Sequence, residues 1–254
     1  MINVDVASAL ALGDIGVVAT PAGPIFYARQ GSGWRYETLM TKEPETIEWI
    51  DGFAPGETLW DIGANVGIYS LYAAKRGVRV LAFEPHFANY FQLCANIMLN
   101  GLEDRVTAFC LAFADARRVS TINLANVSFG HSMSSFDSDL DFRGKPYEVA
   151  FRQGMIGCDL DGFVRDFAVP APDHVKIDVD GIELDIVRGG KATFATPSLK
   201  SVSIELIETD QAQVDGVNQV LEGAGLVFIH KKQNPEFRDT PTGDVLNYLY
   251  RRAG

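Results

Sequence analysis

The chain has 254 residues, with 22 basic against 33 acidic side chains and a formal net charge of −11. At 47% hydrophobic and 22% charged it has the balance of a globular protein with a sizeable core, which excludes wholesale disorder, collagen and coiled coil. Its basic clusters are only pairs, such as Lys75-Arg76 and Arg117-Arg118, so no phosphate-tracking surface and no nucleic-acid partner is expected. The three cysteines, Cys94, Cys110 and Cys158, form no CxxC pair, so neither a disulfide framework nor a zinc motif follows. No apolar run approaches the roughly 20 residues of a membrane span. Met1 to Asp5 carry no positively charged leader region, so a cytoplasmic protein is expected.

In chain order, residues 15–40 read as short strands between Gly and Pro turns: Ile15 to Val18, Ile25 to Tyr27, and Trp34 to Tyr36. Lys42 to Ile50 reads as a helix, with Pro44 suited to its first turn. Residues 1–50 are thus expected to be a β/helix extension packed on a domain spanning 51–254. From residue 58 strands and helices alternate. Strands are expected at 58–60, 78–83, 106–111, 174–179, 201–206, 226–230 and 245–250. In the helix after the second of these, Phe87, Tyr90, Phe91, Cys94, Ile97 and Met98 form an apolar stripe expected to face the sheet. Residues 112–157 break the rhythm and read as a long excursion, a candidate substrate lid. The alternation predicts βαβ units and a mostly parallel sheet, its last two strands antiparallel.

The stretch Trp60-Asp61-Ile62-Gly63-Ala64-Asn65-Val66-Gly67-Ile68 places a Gly-containing turn between a buried strand and a helix. Glu84 stands at the end of the second strand, about 20 residues after Gly63, where an acid can hold both ribose hydroxyls. A dinucleotide turn needs a middle glycine close to the pyrophosphate. Here Asn65 occupies that place, and Asp61 adds negative charge that suits an ammonium or a sulfonium. S-adenosylmethionine carries both charges and a ribose.

This pattern resembles the FkbM-type S-adenosylmethionine-dependent methyltransferases over roughly residues 34–250. The resemblance rests on Trp60 to Ser70, on Phe83-Glu84-Pro85-His86 with Asn96 and Asn100 downstream, on Val175 to Leu184, and on Asn247 to Tyr250. The family usually has Glu where this chain has Asp180. Trp34-Arg35 and Lys42 to Thr46 look like a subgroup linked with sugar and lipopolysaccharide modification. The resemblance implies a seven-stranded Rossmann-like sheet with helices on both faces. It implies that Asp61 and Gly63 face the methionine moiety, Asn65 its carboxylate or amino group, and that Gly67 belongs to the same cofactor-binding turn. Glu84 would then meet the ribose, with Pro85 beside it among the cofactor-binding residues, and Asp115 or its neighbours after the third strand, Ala112 among them, would sit near the adenine.

After the fourth strand, Lys176, Asp178 and Asp180 alternate with Ile177 and Val179, which puts the three polar residues on one side of a strand or just past its end. Such a cluster is costly unless paired or used. Asp178 is the first choice for a functional residue there, with Lys176 and Asp180 beside it and Asp178 also near the donor. The alternative is a Lys176–Asp178 pair with Asp180 capping a helix. A carboxylate-bound cation drawing on Asp178, Asp180, Glu183, Glu205 or Glu208 is weighed, and no resident metal is expected. His131, in the Ser-rich excursion, is the candidate general base.

The reading is therefore an S-adenosylmethionine-dependent methyltransferase acting on a hydroxyl of a sugar or glycoconjugate. Its partner would be a small-molecule or glycan acceptor, with homo-oligomerisation left open. The alternatives are a nicotinamide-dependent oxidoreductase on the same fold and a non-catalytic nucleoside-binding protein.

Overall fold

The computed structural model describes residues 4–253; Met1–Asn3, part of the stretch read above for a leader, and Gly254 lie outside it. A helix α1 (Val4–Ala9) leads into an antiparallel hairpin, β1 (Ile15–Val18) and β2 (Ile25–Ala28). Two helices follow, α2 (Gly33–Glu37) and α3 (Pro44–Asp51). Pro44 opens α3 where its missing N–H costs nothing. Residues Trp34 to Tyr36, expected as a strand, are the body of α2. The turn is held by Tyr36, whose ring stacks on Tyr27 and whose hydroxyl donates to the Val66 carbonyl at 2.7 Å. These distant contacts outweigh the local pattern.

The alternating part runs β3 (Thr58–Ile62), α4 (Ile68–Lys75), β4 (Arg79–Phe83), α5 (Phe87–Leu99) and β5 (Val106–Phe109). A second small sheet then intervenes, from β6 (Ala112–Phe113), β7 (Arg118–Leu124), β8 (Ser134–Phe136) and β9 (Phe151–Cys158). The alternation resumes with α6 (Leu160–Phe167), β10 (His174–Ile177), α7 (Glu183–Arg188), α8 (Lys191–Phe194), β11 (Ser201–Ile207) and α9 (Gln211–Gly223). It ends in β12 (Leu226–Lys232) and β13 (Val245–Arg252).

Seven strands form the main sheet in the order β12-β13-β11-β10-β3-β4-β5. Only β13 runs antiparallel to its neighbours. This is the mostly parallel, doubly wound α/β sheet expected from the sequence. Alternate residues of each strand enter opposite cores. Leu59, Val80, Ala82 and Val106 pack with α3, α4 and α5. Trp60, Ile62, Leu81, Phe83, Val175 and Ile177 pack with α6 to α9. The chain leaves β3 toward β4 on one side and reaches β10 on the other. Their C-terminal ends therefore open the crevice where ligands bind in such sheets.

Helix α5 corrects the expected stripe. Phe87 and Phe91 are 44% and 43% exposed, while Asn89, Gln92, Leu93 and Asn96 are buried. The buried face is an amide ladder. Asn96 accepts from the Ala28 amide, Gln92 donates to the Ala28 carbonyl, and Asn100 both accepts from and donates to the backbone of Phe26. Buried amides need partners, and the open backbone of β2 supplies them. The ladder fastens the N-terminal hairpin to the domain.

Residues 112–157 are a four-stranded sheet, ordered β6-β9-β7-β8, rather than one long loop. Its core of Ala112, Ile122, Leu124, Phe136 and Met155 is small. Val119 and Ile156 face solvent on its other side, which blurs the alternation that would mark strands.

Candidate functional site

A cavity of about 370 Å³ opens at the C-terminal ends of β3 and β10, within the size range of small-molecule sites. Of the residues singled out by sequence, Gly63, Asn65, Glu84, Pro85, Ala112, His131, Asp178 and Asp180 line it. Asp61, Gly67, Asp115 and Lys176 do not. Asp61 is 1% exposed behind the wall and accepts from the Ser70 hydroxyl at 2.5 Å. Gly67 starts α4 and lies against Leu93. Asp115 is ion-paired with Arg118.

The turn after β3 is tightly bonded to its surroundings. Gly63 and Ala64 amides donate to the Phe83 carbonyl, and the Asn65 amide to Glu84 Oε2 at 2.7 Å. The Val66 amide meets the Asn65 side chain, and the Gly67 amide the Ala64 carbonyl. Asn65 takes the left-handed conformation, φ 51°, that Asn tolerates. Every amide from 63 to 67 is thus already satisfied.

Glu84 also accepts from the His86 amide at 2.9 Å. Burial pushes its carboxyl up to about 7, against the pull of those two amides. Asp180 accepts from the Ser134 amide, and burial pushes it up to about 6. It caps no helix, since Ile182 precedes α7. Glu183 lies between the Gly181 amide and the Gln213 side chain, and burial pushes it up to about 8.

These three acids make apo stability depend on pH. In the unfolded chain they ionise near pH 4. The folded state keeps their protons longer, so stability falls as pH rises from about 4 toward 8. His86 and His174, pushed down by burial, act in the opposite sense, and that effect is complete above about pH 6.5. We therefore expect stability to drop between pH 7 and 8, by on the order of 1 kcal/mol. Thermal unfolding across that interval tests it; a flat or rising melting temperature contradicts the assignment.

Lys176 is on the strand, while Asp178 and Asp180 lie beyond its end. Lys176 is 2% exposed, pairs with Asp178 at 2.5 Å and sits 5.0 Å from the Tyr69 ring centroid. Burial alone would lower its pKa; Asp178, Glu43 and Asp61 outweigh that and hold it above the ordinary value. Burial likewise opposes ionisation of Asp178, but Lys176 and Lys42 hold its carboxyl below the usual range.

The extension, in which the sequence named no site residue, also contributes. Trp34, Arg35, Lys42, Glu43 and Glu45 all line the cavity. Glu43 is paired with Lys42 at 2.6 Å, and Glu45 accepts from the buried Asn247 amide at 3.0 Å. Glu43, Asp178 and Glu205 bring carboxylate oxygens within 4.8 Å of one another, the spacing of a cation site. Two lysine ammonium groups already supply counter-charge there. Glu205, buried among these acids, is pushed well above the carboxylate range. The local hints of this role are the charged Lys42–Glu43 pair just before a helix-opening proline and the resemblance of Trp34-Arg35 and Lys42 to Thr46 to a sugar-modifying subgroup.

Fold and site together define a doubly wound α/β protein with an acid-lined, nucleoside-sized cleft. The family profile described as "Methyltransferase FkbM domain" matches residues 61–254, and the chain belongs to that family. It is similar to the hexuronic acid methyltransferase AglP of Haloferax volcanii, 24% identical over 183 residues, which are 69% of this chain. The match spans 65% of that relative. Among solved structures it is similar to a methyltransferase FkbM from Methylobacillus flagellatus KT, with a TM-score of 0.49, 18% identity, and coverage of 78% of this chain and 44% of the other. A precorrin-6y C5,15-methyltransferase from Geobacter metallireducens GS-15 gives a TM-score of 0.47 at 13% identity, covering 86% of this chain and 92% of the other. Among the described residues no helix is long and apolar enough to cross a membrane.

Proposed function

We propose that the protein is an S-adenosylmethionine-dependent methyltransferase acting on a hydroxyl of a sugar or glycoconjugate. The observation that carries the donor is the turn 63–67. Its amides are spent within the protein, leaving none for a pyrophosphate, and Asn65 crowds the place where one would rest. That argues against the nicotinamide alternative. The lining acids suit a ligand bearing an ammonium and a sulfonium. Glu84, with lone pairs beyond its two amide bonds, suits a ribose diol. Leu111, Ala112, Phe113 and Ile182 offer an apolar bed for a purine. The similarity to a hexuronic acid methyltransferase supports a sugar acceptor.

The donor supplies an electrophilic methyl group. The chain's part is to align the acceptor, exclude water and take up a proton. Asp178, kept ionised by Lys176, is a weak base and serves better to face positive charge. His131 is the better proton acceptor. It lines the cavity, with its Nδ1 against the Ser132 carbonyl. In this reading the extension, through Trp34, Arg35, Lys42, Glu43 and Glu45, completes the site of the 51–254 domain, and strands β7 and β8 wall the acceptor side. Three free thiols fit a cytoplasmic protein.

Calorimetric titration with S-adenosylmethionine and S-adenosylhomocysteine, with NADH as control, tests the donor. Micromolar binding of the first two and none of NADH is expected. Glu84→Ala should weaken both by roughly 10- to 100-fold, the worth of charge-assisted hydrogen bonds. NADH binding, or unchanged affinity in the variant, contradicts the proposal. A methylation screen over hexuronic acids and neutral glycosides then tests the acceptor.

A further inference from the structure

The cavity has many acids and few bases. Its lining basic side chains, among the described residues, are Arg35, Lys42 and His131. Lys42 is committed to Glu43. His131 is engaged with its neighbour's carbonyl. Arg35 differs from both. Its Nε donates to the Gly130 carbonyl at 2.7 Å, and its guanidinium lies 4.6 Å from the ring centroid of Trp34. Among the described residues no carboxylate pairs with it, so the two terminal amino groups are held in place with no acid to meet.

The seat of this guanidinium is itself hydrogen-bonded. The Gly130 amide donates to the Asn89 side chain at 2.7 Å, and the next carbonyl, of His131, accepts from Asn89 and Asn65. Arg35 is thereby tied to the turn that follows β3. Its charge also acts on Asp178 and Asp180. It lines the same cavity as Glu84, Asp178 and Asp180.

A planar fork favours a carboxylate. A phosphate dianion would meet repulsion from Glu43, Glu84, Asp178 and Asp180 around it. A carboxylate that arrives with its own ammonium meets both signs of charge. We propose that Arg35, from the extension outside the matched family region, anchors the carboxylate of the donor's amino-acid end. This rests on the reading of the donor as S-adenosylmethionine.

The test is calorimetry of the full chain with S-adenosylhomocysteine and with its decarboxylated analogue, which keeps the amine and lacks only the carboxylate. Arg35→Gln should lose roughly 10- to 100-fold in affinity for S-adenosylhomocysteine and change little for the analogue. Arg35→Lys, which keeps charge but not the fork, should recover part of the loss. Unchanged S-adenosylhomocysteine affinity in Arg35→Gln, or an equal loss for both ligands, overturns the assignment. Failure of the unaltered protein to bind either ligand instead overturns the donor reading, and this inference with it.

Discussion

Lys176→Met should destabilise the protein by about 3–5 kcal/mol, because it strands buried carboxylates rather than removing a surface charge. The ammonium is fully enclosed beside Asp178, and Glu43 and Asp61 also act on it. In the variant Lys42, and for Asp178 also Arg35, are left to act on these acids. For a chain of this length the loss corresponds to a drop in melting temperature on the order of 10 °C. The sign of its pH dependence identifies the cause. With Lys176 present, Asp178 has a depressed pKa, so the pair adds stability above the unfolded carboxylate value and loses it as pH falls through the folded one. Without Lys176 the enclosed carboxyls titrate higher, and the variant loses stability as pH rises. Urea unfolding should therefore show a wider gap between the two proteins at pH 8 than at pH 5. A gap independent of pH would mean that the lysine stem's packing, not its charge, stabilises this layer.

The same residue shows where sequence patterns inform and where they stop. Period-2 alternation from Val175 to Val179 correctly marks a strand end rich in ionisable groups. It cannot say that the strand stops at Ile177, so that Lys176 turns into the helix layer while Asp178 and Asp180 reach the cleft. Strands flanked by turns and glycines are legible because burial on both faces demands short apolar runs. The polar face of α5 is not, because most partners of Asn89, Gln92 and Asn96 lie 30 or more residues away in sequence. Arg35, Lys42 and Glu43 join the site through contacts of the same kind. Their types are compatible with a solvated surface until the hairpin and α3 carry them to the cleft. The β6–β9 sheet was hidden for a different reason: one of its faces is wet, and its strands carry Ser, Asn and Gly.

Gly63→Ala should cost at least about 3 kcal/mol and abolish measurable donor binding, combining left-handed backbone strain with an overlap that no side chain can relieve. Gly63 has φ 85°, and a Cβ there would stand 1.8 Å from the Asp178 carbonyl oxygen and 2.8 Å from its carbon. Both obstacles are backbone. Relief requires the turn after β3 and the end of β10 to move apart, yet these segments are joined by the Asp178 amide bond to the Ile62 carbonyl at 3.0 Å. They also carry Asn65, Asp178 and Asp180 into the cavity. A shift of about 1 Å at such a junction is enough to cost roughly 100-fold in a positioned site. Gly101→Ala provides the comparison. It too has a positive φ, 59°, but nothing lies within 4 Å of its Cβ position. It should lose only the conformational cost, about 1–2 kcal/mol, and keep S-adenosylhomocysteine affinity unchanged. Paired measurements of unfolding and binding on the two variants separate strain from collision. If Gly63→Ala matches Gly101→Ala in both, the close approach of the two strand ends is not what holds the cleft in shape.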